Sequence, residues 1–499
     1  MIVECTLLLS GLLGSAYLYF TSNDNYWKSK GIPYIKPDLF FGNFKDAFLG
    51  RRHFGQIYAD IYNKFKESPL VGILKCKIPV LLVRDPEFVR TVLVTEFKSF
   101  MDSDFTVNLD TDPLWASNPF ANKGKLWKSL RTRWTPHMTP VKVKQAYSSM
   151  VNRADVMVEH INKVIKCYPV KKFHGRDLIT SFFTDSISLG TFGVEINSFE
   201  NPRNPFKDIS SSIFATNYWN GLLSKIFVVI PWLAKYYRFG SSQIVDMTFS
   251  AAREIIKCQK ETGLPQNDMY TTLTNYSMTD GKAEFSETDL AGRIFGMLLD
   301  GSETTSGPLS YGLYEIACNP DIQTRMEIEL DEAANANGGS LNYDIITELP
   351  YMDMVLSETL RLYPPLIHLA RVCNKSTLLK KGDFEFQVPV GMILAIPTLG
   401  IHMDPSIYPD PEKFDPERFA PGMAETRPKG TFLPFGDGPR SCIGKKLAIL
   451  ESKVLLAYLV KNFIINPVGD RYDRPIPVDP DIVLMRARDE LYVTFHPRM

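Results

Sequence analysis

Phe435-Gly436-Asp437-Gly438-Pro439-Arg440-Ser441-Cys442-Ile443-Gly444 is the stretch that decides how this chain folds. Two glycines and a proline make a tight, rigid loop, and the apolar-rich run behind it predicts a long helix to about Phe463. A cysteine at a loop-to-helix junction has its thiolate stabilised by the helix dipole and by free backbone N–H groups. The same N–H groups moderate electron donation from sulfur to a metal. Arg440, two residues earlier, supplies a planar cation suited to a carboxylate. A lone cysteine is by default an inert buried thiol, and it is the surrounding frame that sets this one apart. A phosphate loop is a poor rival, because Pro439 removes an N–H and no Gly-Lys-Ser/Thr follows.

Upstream of this loop the patterns are mainly helical. Ser286-x-x-Asp289 reads as a capping box opening a long helix. Leu290 to Leu299 is apolar nearly all round, apart from Arg293, so that helix is expected at the centre of the body. Pro308 further along lacks an N–H for the Thr304 carbonyl, and a kink is expected there. Asn319-Pro320 starts another helix; Pro350 begins a third, which Pro364-Pro365 ends. Residues 70 to 83, LVGILKCKIPVLLV, are β-branched and apolar and predict a small sheet. The expected fold class is mainly α with a minor β part.

The composition excludes more than it selects. Among 499 residues, 56 basic side chains balance 56 acidic ones, so nothing calls for a nucleic acid or other polyanion. Seven scattered cysteines, odd in number and without CxxC pairs, argue against a disulfide framework or a zinc site and for a reducing compartment. Ile2 to Phe20 is almost wholly apolar, long enough to approach the ~30 Å of a bilayer core. Without a basic n-region it reads as an uncleaved anchor rather than a signal peptide. Lys28, Lys30 and Lys36 follow it and keep the body on the cytosolic side. The expected organisation is an anchor over 1–21, a proline-containing linker over 22–38 and a single large domain over 39–499. The greasy segment Tyr218 to Leu233 is either core or a second membrane contact.

The loop matches FxxGxRxCxG, and with it the chain resembles the cytochrome P-450 family, in a microsomal, insect-like style. Further marks follow in the family's order. Glu358-Thr359-Leu360-Arg361 resembles ExxR, with both charges on one helical face, and Arg418 in Pro416-Glu417-Arg418-Phe419 resembles the third member of that structural triad. Trp127 and Arg131 resemble a WxxxR pair that reaches haem propionates, and Arg371 resembles another propionate-binding arginine. The resemblance implies haem b as cofactor, with Cys442 as the axial ligand of its iron. It also implies that Phe435, Trp127, Arg131, Arg371 and Arg440 surround the group.

Asp300-Gly301-Ser302-Glu303-Thr304-Thr305 is similar to the family's [A/G]Gx[D/E]T[T/S]. Oxygen activation needs protons in an apolar pocket, and a Thr304 hydroxyl resupplied by Glu303 can deliver them. The alternative is that Thr304 merely bonds back to the Asp300 carbonyl, and the Pro308 kink favours an opened groove instead. Asp300 departs from the pattern. In the fatty-acid ω-hydroxylase branch a Glu here can form an ester with a haem methyl, and Asp300 is one methylene shorter. It is an ester former, an uncoupled acid serving as proton donor or substrate contact, or a structural residue turned away.

The activity implied is insertion of one atom of O2 into a lipophilic small molecule (a foreign compound, fatty acid or steroid-like molecule). Electrons come from NADPH through a flavin reductase, at the endoplasmic reticulum membrane. Lys125, Lys128, Lys142, Lys144, Lys445 and Lys446 would give the reductase a basic face. A same-fold hydroperoxide isomerase or dehydratase, and a haem or ligand binder without turnover, are the competing readings. Segments 101–122, 205–223, 293–304, 366–371 and 481–487 are expected to line the substrate site.

Overall fold

The structure is a computed structural model. It describes residues 2–105, 107–108, 110–168, 170–212, 226, 233, 236, 242–262, 287–469 and 476–498. Ser286 and nearly all of the apolar segment 218–233 lie outside the described residues, as does part of the expected lining segment 205–223.

Helices dominate. The order runs α1 (Ile2–Thr21), α2 (Phe54–Lys64), β1 (Leu70–Lys75), β2 (Ile78–Val83), α3 (Pro113–Ala116), α4 (Gly124–Trp134) and α5 (Pro140–Cys167). Next come β3 (Phe173–His174), α6 (Gly175–Phe192), α7 (Pro205–Ser212), α8 (Ser242–Thr262) and α9 (Glu287–Leu298). A π-helical turn, Leu299–Glu303, joins α9 to α10 (Thr304–Cys318), which is followed by α11 (Pro320–Asn335) and α12 (Pro350–Leu362). The chain ends through β4 (Leu369–Val372), β5 (Thr377–Lys381), β6 (Phe384–Val388), β7 (Ile393–Ile396), α13 (Lys445–Asn462), β8 (Phe463–Pro467) and β9 (Tyr492–Pro497).

The β part is small and split. One sheet has the order β1-β2-β7-β4, with β2 parallel to β7 and the other pairs antiparallel; β3-β9-β8 and the hairpin β5-β6 form the others. The sheet of β1 and β2 carries its own apolar core with α2, while a larger core joins α5, α6, α10, α12 and α13. Alanine 291 to Leu299 is buried without a break, including Arg293, so the central helix is where its apolar run predicts.

Residues 22–38, expected as a proline-containing linker, are packed on the body in part. Trp27 and Ile32 are buried in the sheet core, Trp27 Nε1 donates to the Ile73 carbonyl at 2.9 Å, and Tyr34 pairs with Gly72. A proline-containing stretch with a tryptophan still packs when a strand offers it an apolar face. Pro308 lies inside α10, and a π turn stands upstream of it over Leu299–Glu303. Widening the helix over Leu299–Glu303 shifts the hydrogen-bond ladder before the proline is reached. Helix α1 is long and apolar enough to cross a membrane by length and composition, and none of that stretch is buried against the body.

Candidate functional site

Cys442 sits three residues before α13, and its N–H donates to the Phe435 carbonyl at 2.8 Å, closing the loop. The glycines are required there. Gly438 has φ +70°, and a Cβ on it would lie 2.0 Å from the Leu93 carbonyl oxygen. Cys442 has accessible surface, yet protein crowds it from nearly every side, so that surface faces an internal space. Burial pushes its thiol up; the Gly444 N–H opposes this, Asp300 adds to it, and Arg131 and Lys445 work against it. A bound metal ion would resolve that tension, because coordination deprotonates a thiol outright.

Three arginines converge on the same region from three elements: Arg131 from α4, Arg371 from β4 and Arg440 from the loop. Arg440 stacks over the buried Trp127 ring at 4.6 Å, donates to the Asn122 carbonyl at 2.6 Å and lies 3.9 Å from Asp102. Arg371 donates only to the neighbouring Ala370 carbonyl among the bonds the structure defines, and the Nε atoms of Arg371 and Arg440 are buried without a partner. Burial lowers Arg371 to about 10, and the Arg440 charge adds to this. Burial likewise lowers Arg440 to about 10, with Asp102 opposing and Arg131 adding. Burial lowers Arg131 too, opposed by Cys442. Buried guanidiniums that repel one another leave a place for a dianion. The two propionates of a haem fit it, and the accessible sulfur of Cys442 fits its iron.

On the helix that faces this region, Thr304 Oγ1 donates to the Asp300 carbonyl. The groove expected from the proline kink is therefore replaced by a back-bonded threonine beside a π turn, at rest in its structural role. Glu303 is buried and faces α6, where Arg176 Nη2 reaches both its carboxylate oxygens, at 2.8 and 2.6 Å. Beyond that pair is a polar cavity of about 250 Å³ lined by His174, Asp177, Lys207, Glu490 and Tyr492 among others. Asp300 acts electrostatically on the Cys442 thiol. Its carboxylate accepts from Asn118 Nδ2 at 2.9 Å, and burial pushes it up to about 7, with Asn118 opposing.

The ExxR residues form a separate cluster. Arg361 grips Glu358 through Nε at 2.7 Å and Nη2 at 2.8 Å, both side chains fully buried, and Arg418 Nε lies 3.4 Å from Glu358. Arg361 also donates to the carbonyls of His402 and Pro411. Lys125, Lys128, Lys144, Lys445 and Lys446 are exposed; Lys142 is half-buried, and Lys144 pairs with Asp344.

Asp102, Asn118, Asn122 and Arg176 were not legible in the sequence. Each is a common residue type without a motif, and only the chain's return from a distant segment gives it a partner.

The chain is similar to known proteins along nearly its whole length. The family model Cytochrome P450 matches residues 33–494. The chain is 31% identical to Cytochrome P450 6j1 of Blattella germanica, over 96% of this chain and 94% of that protein. It is 32% identical to Cytochrome P450 6A1 of Musca domestica, over 97% and 96%. It is also 32% identical to Probable cytochrome P450 6a14 of Drosophila melanogaster, over 97% and 98%. Coverage of both chains nearly end to end leaves no room for a shared fragment only. The chain belongs to the cytochrome P450 family of haem-thiolate monooxygenases, whose cofactor is haem b with its iron on a cysteine thiolate.

Proposed function

We propose that this protein oxidises a lipophilic small molecule at the endoplasmic reticulum membrane, with electrons drawn from NADPH through a flavin reductase. Residues 1–21 would be the anchor and 39–499 the haem domain, with 22–38 packed onto its sheet. The observation that carries the reading is the accessible Cys442 sulfur in a crowded place, with Arg131 and Asp300 acting on its charge and with Arg371 and Arg440 each keeping a buried Nε without a partner.

Cys442 would be the iron ligand, with Phe435 closing its loop and the Gly444 N–H moderating the sulfur charge. Arg131, Arg371 and Arg440 would hold the propionates, with Trp127 as the platform under Arg440. When bound, the haem supplies reductive activation of O2 with an electron-donating thiolate behind it. The chain's own part is protons and positioning. Thr304, donating to the Asp300 carbonyl at rest, keeps lone pairs free to accept from water and can turn to donate. Glu303 resupplies it from the other side of the helix, where Arg176 holds it in place. The exposed lysines 125, 128, 445 and 446 offer the reductase a basic face.

Replacing Cys442 with Ser or His tests this reading. The variant should lose the thiolate-specific band of the reduced CO complex, and wild type in reconstituted membranes should consume NADPH when reductase and a lipophilic substrate are present. Survival of the band removes Cys442 as ligand. Turnover of hydroperoxides without NADPH would favour the isomerase reading, and no turnover at all a binding protein.

A further inference from the structure

Asp300 and Glu303 are carboxylates one turn apart on the same helix, and their surroundings differ. Glu303 is matched by Arg176. Asp300 has no cation partner among the described residues, and a single amide hydrogen bond offsets its burial. The residue is nonetheless accessible, and it acts electrostatically on the Cys442 thiol.

Asn118 is fully buried and has little freedom. Its Oδ1 accepts from Phe120 N–H at 2.7 Å, which forces Nδ2 toward Asp300. Its carbonyl accepts from Asn122 Nδ2 at 2.8 Å. The segment is pressed onto the helix at Gly292, where a Cβ would lie 2.4 Å from that of Ser117. Close by, Trp115 packs edge-on to Phe295 at 5.5 Å, Phe105 adds a further ring at 5.5 Å from Trp115, and Leu114 and Leu299 are buried in the same cluster. An acid is thus held in position by Asn118 beside an apolar core, without a cation partner among the described residues.

Resting on the reading above, we propose that Asp300, positioned by Asn118, determines specificity by pairing with a cationic nitrogen on an otherwise lipophilic substrate. A molecule that carries its own cation supplies what Glu303 has in Arg176 and Asp300 lacks. A neutral molecule of the same shape leaves the acid unpaired, and a buried carboxylate is costly in that state.

A matched pair of probes isolates the charge. Decyltrimethylammonium and its neutral carbon isostere 2,2-dimethyldodecane have the same shape, and neither can ligate iron. Their dissociation constants for the purified holoenzyme are measured by calorimetry and by the haem absorbance shift. Wild type should favour the cation by about tenfold or more, and Asp300→Asn should bring the two within about twofold, with the cation bound more weakly and the isostere no more weakly than by wild type. Asn118→Ala should give an intermediate preference. Equal binding of the two probes by wild type overturns the proposal, as does a preference that survives in Asp300→Asn. A wild-type protein lacking the thiolate CO band would instead overturn the family-based assignment of Cys442, a separate outcome.

Discussion

Two groups of buried arginines in this molecule meet opposite fates. Arg361 and Arg418 share Glu358, and Arg361 adds bonds to the carbonyls of His402 and Pro411. Arg371 and Arg440 repel each other and share no carboxylate; a buried Nε without a hydrogen bond occurs on both, and also on Arg418, whose Nε nonetheless faces the Glu358 carboxylate at 3.4 Å. Both groups are withdrawn from water, and only the first is balanced by the protein itself. A balanced buried charge ties elements together, whereas an unbalanced one marks where something else belongs. Glu451 is a third case: it is buried on α13 with Ser186 as its hydrogen-bond partner, and burial pushes it up to about 8, so it stays neutral at pH 7.

The comparison can be broken where its stakes are largest. Glu358→Ala strands two buried guanidiniums, and the loss should be about 3 to 5 kcal/mol, seen as a lower urea midpoint and poor haem incorporation. A variant of near wild-type stability would show that the first group is not balanced by its carboxylate.

Glu451 sharpens the contrast through pH. The folded protein holds this proton up to about pH 8, whereas an unperturbed glutamate releases it near 4.5. The unfolded chain therefore binds fewer protons than the folded one between those values, and this residue lowers stability as pH rises through that window. Glu451→Gln cannot ionise and should remove that slope, gaining up to about 3 kcal/mol at pH 7. Urea unfolding at pH 5 and pH 8 checks it, and parallel curves for variant and wild type would refute the neutral state.

The smallest effect should come from the unbalanced group. Arg371→Leu removes a buried charge that repels its neighbour, so the fold should hold. Haem should transfer to a scavenging apoprotein about tenfold faster, worth roughly 1.4 kcal/mol. Loss of the fold itself would place Arg371 with the structural arginines.

The contrast between the two groups also separates what was legible in advance. The ExxR pair lies within one helix turn, and the Cys442 loop within ten residues, so both are legible through their resemblance to the family's motifs. The π turn was missed because Pro308 draws attention to the wrong place: the ladder adjusts one turn earlier, where Asp300-Gly301-Ser302 carries no helix-breaking proline. Trp27 was read as linker because a flanking segment shows no periodicity, and only β1 reveals the apolar face that receives it.

From the sequence alone came the helical class, the small sheet, the cysteine ligand candidate, the acid–threonine pair and the apolar N-terminal segment. Each rests on residues close in the chain, where backbone geometry fixes which side chains share a face. The tertiary structure alone decided which charges are matched. It set Arg176 against Glu303 across 127 positions and Asn118 against Asp300 across 182. Hydrogen bonds and ion pairs act over a few ångströms, and no local pattern encodes which distant segment will be brought that near.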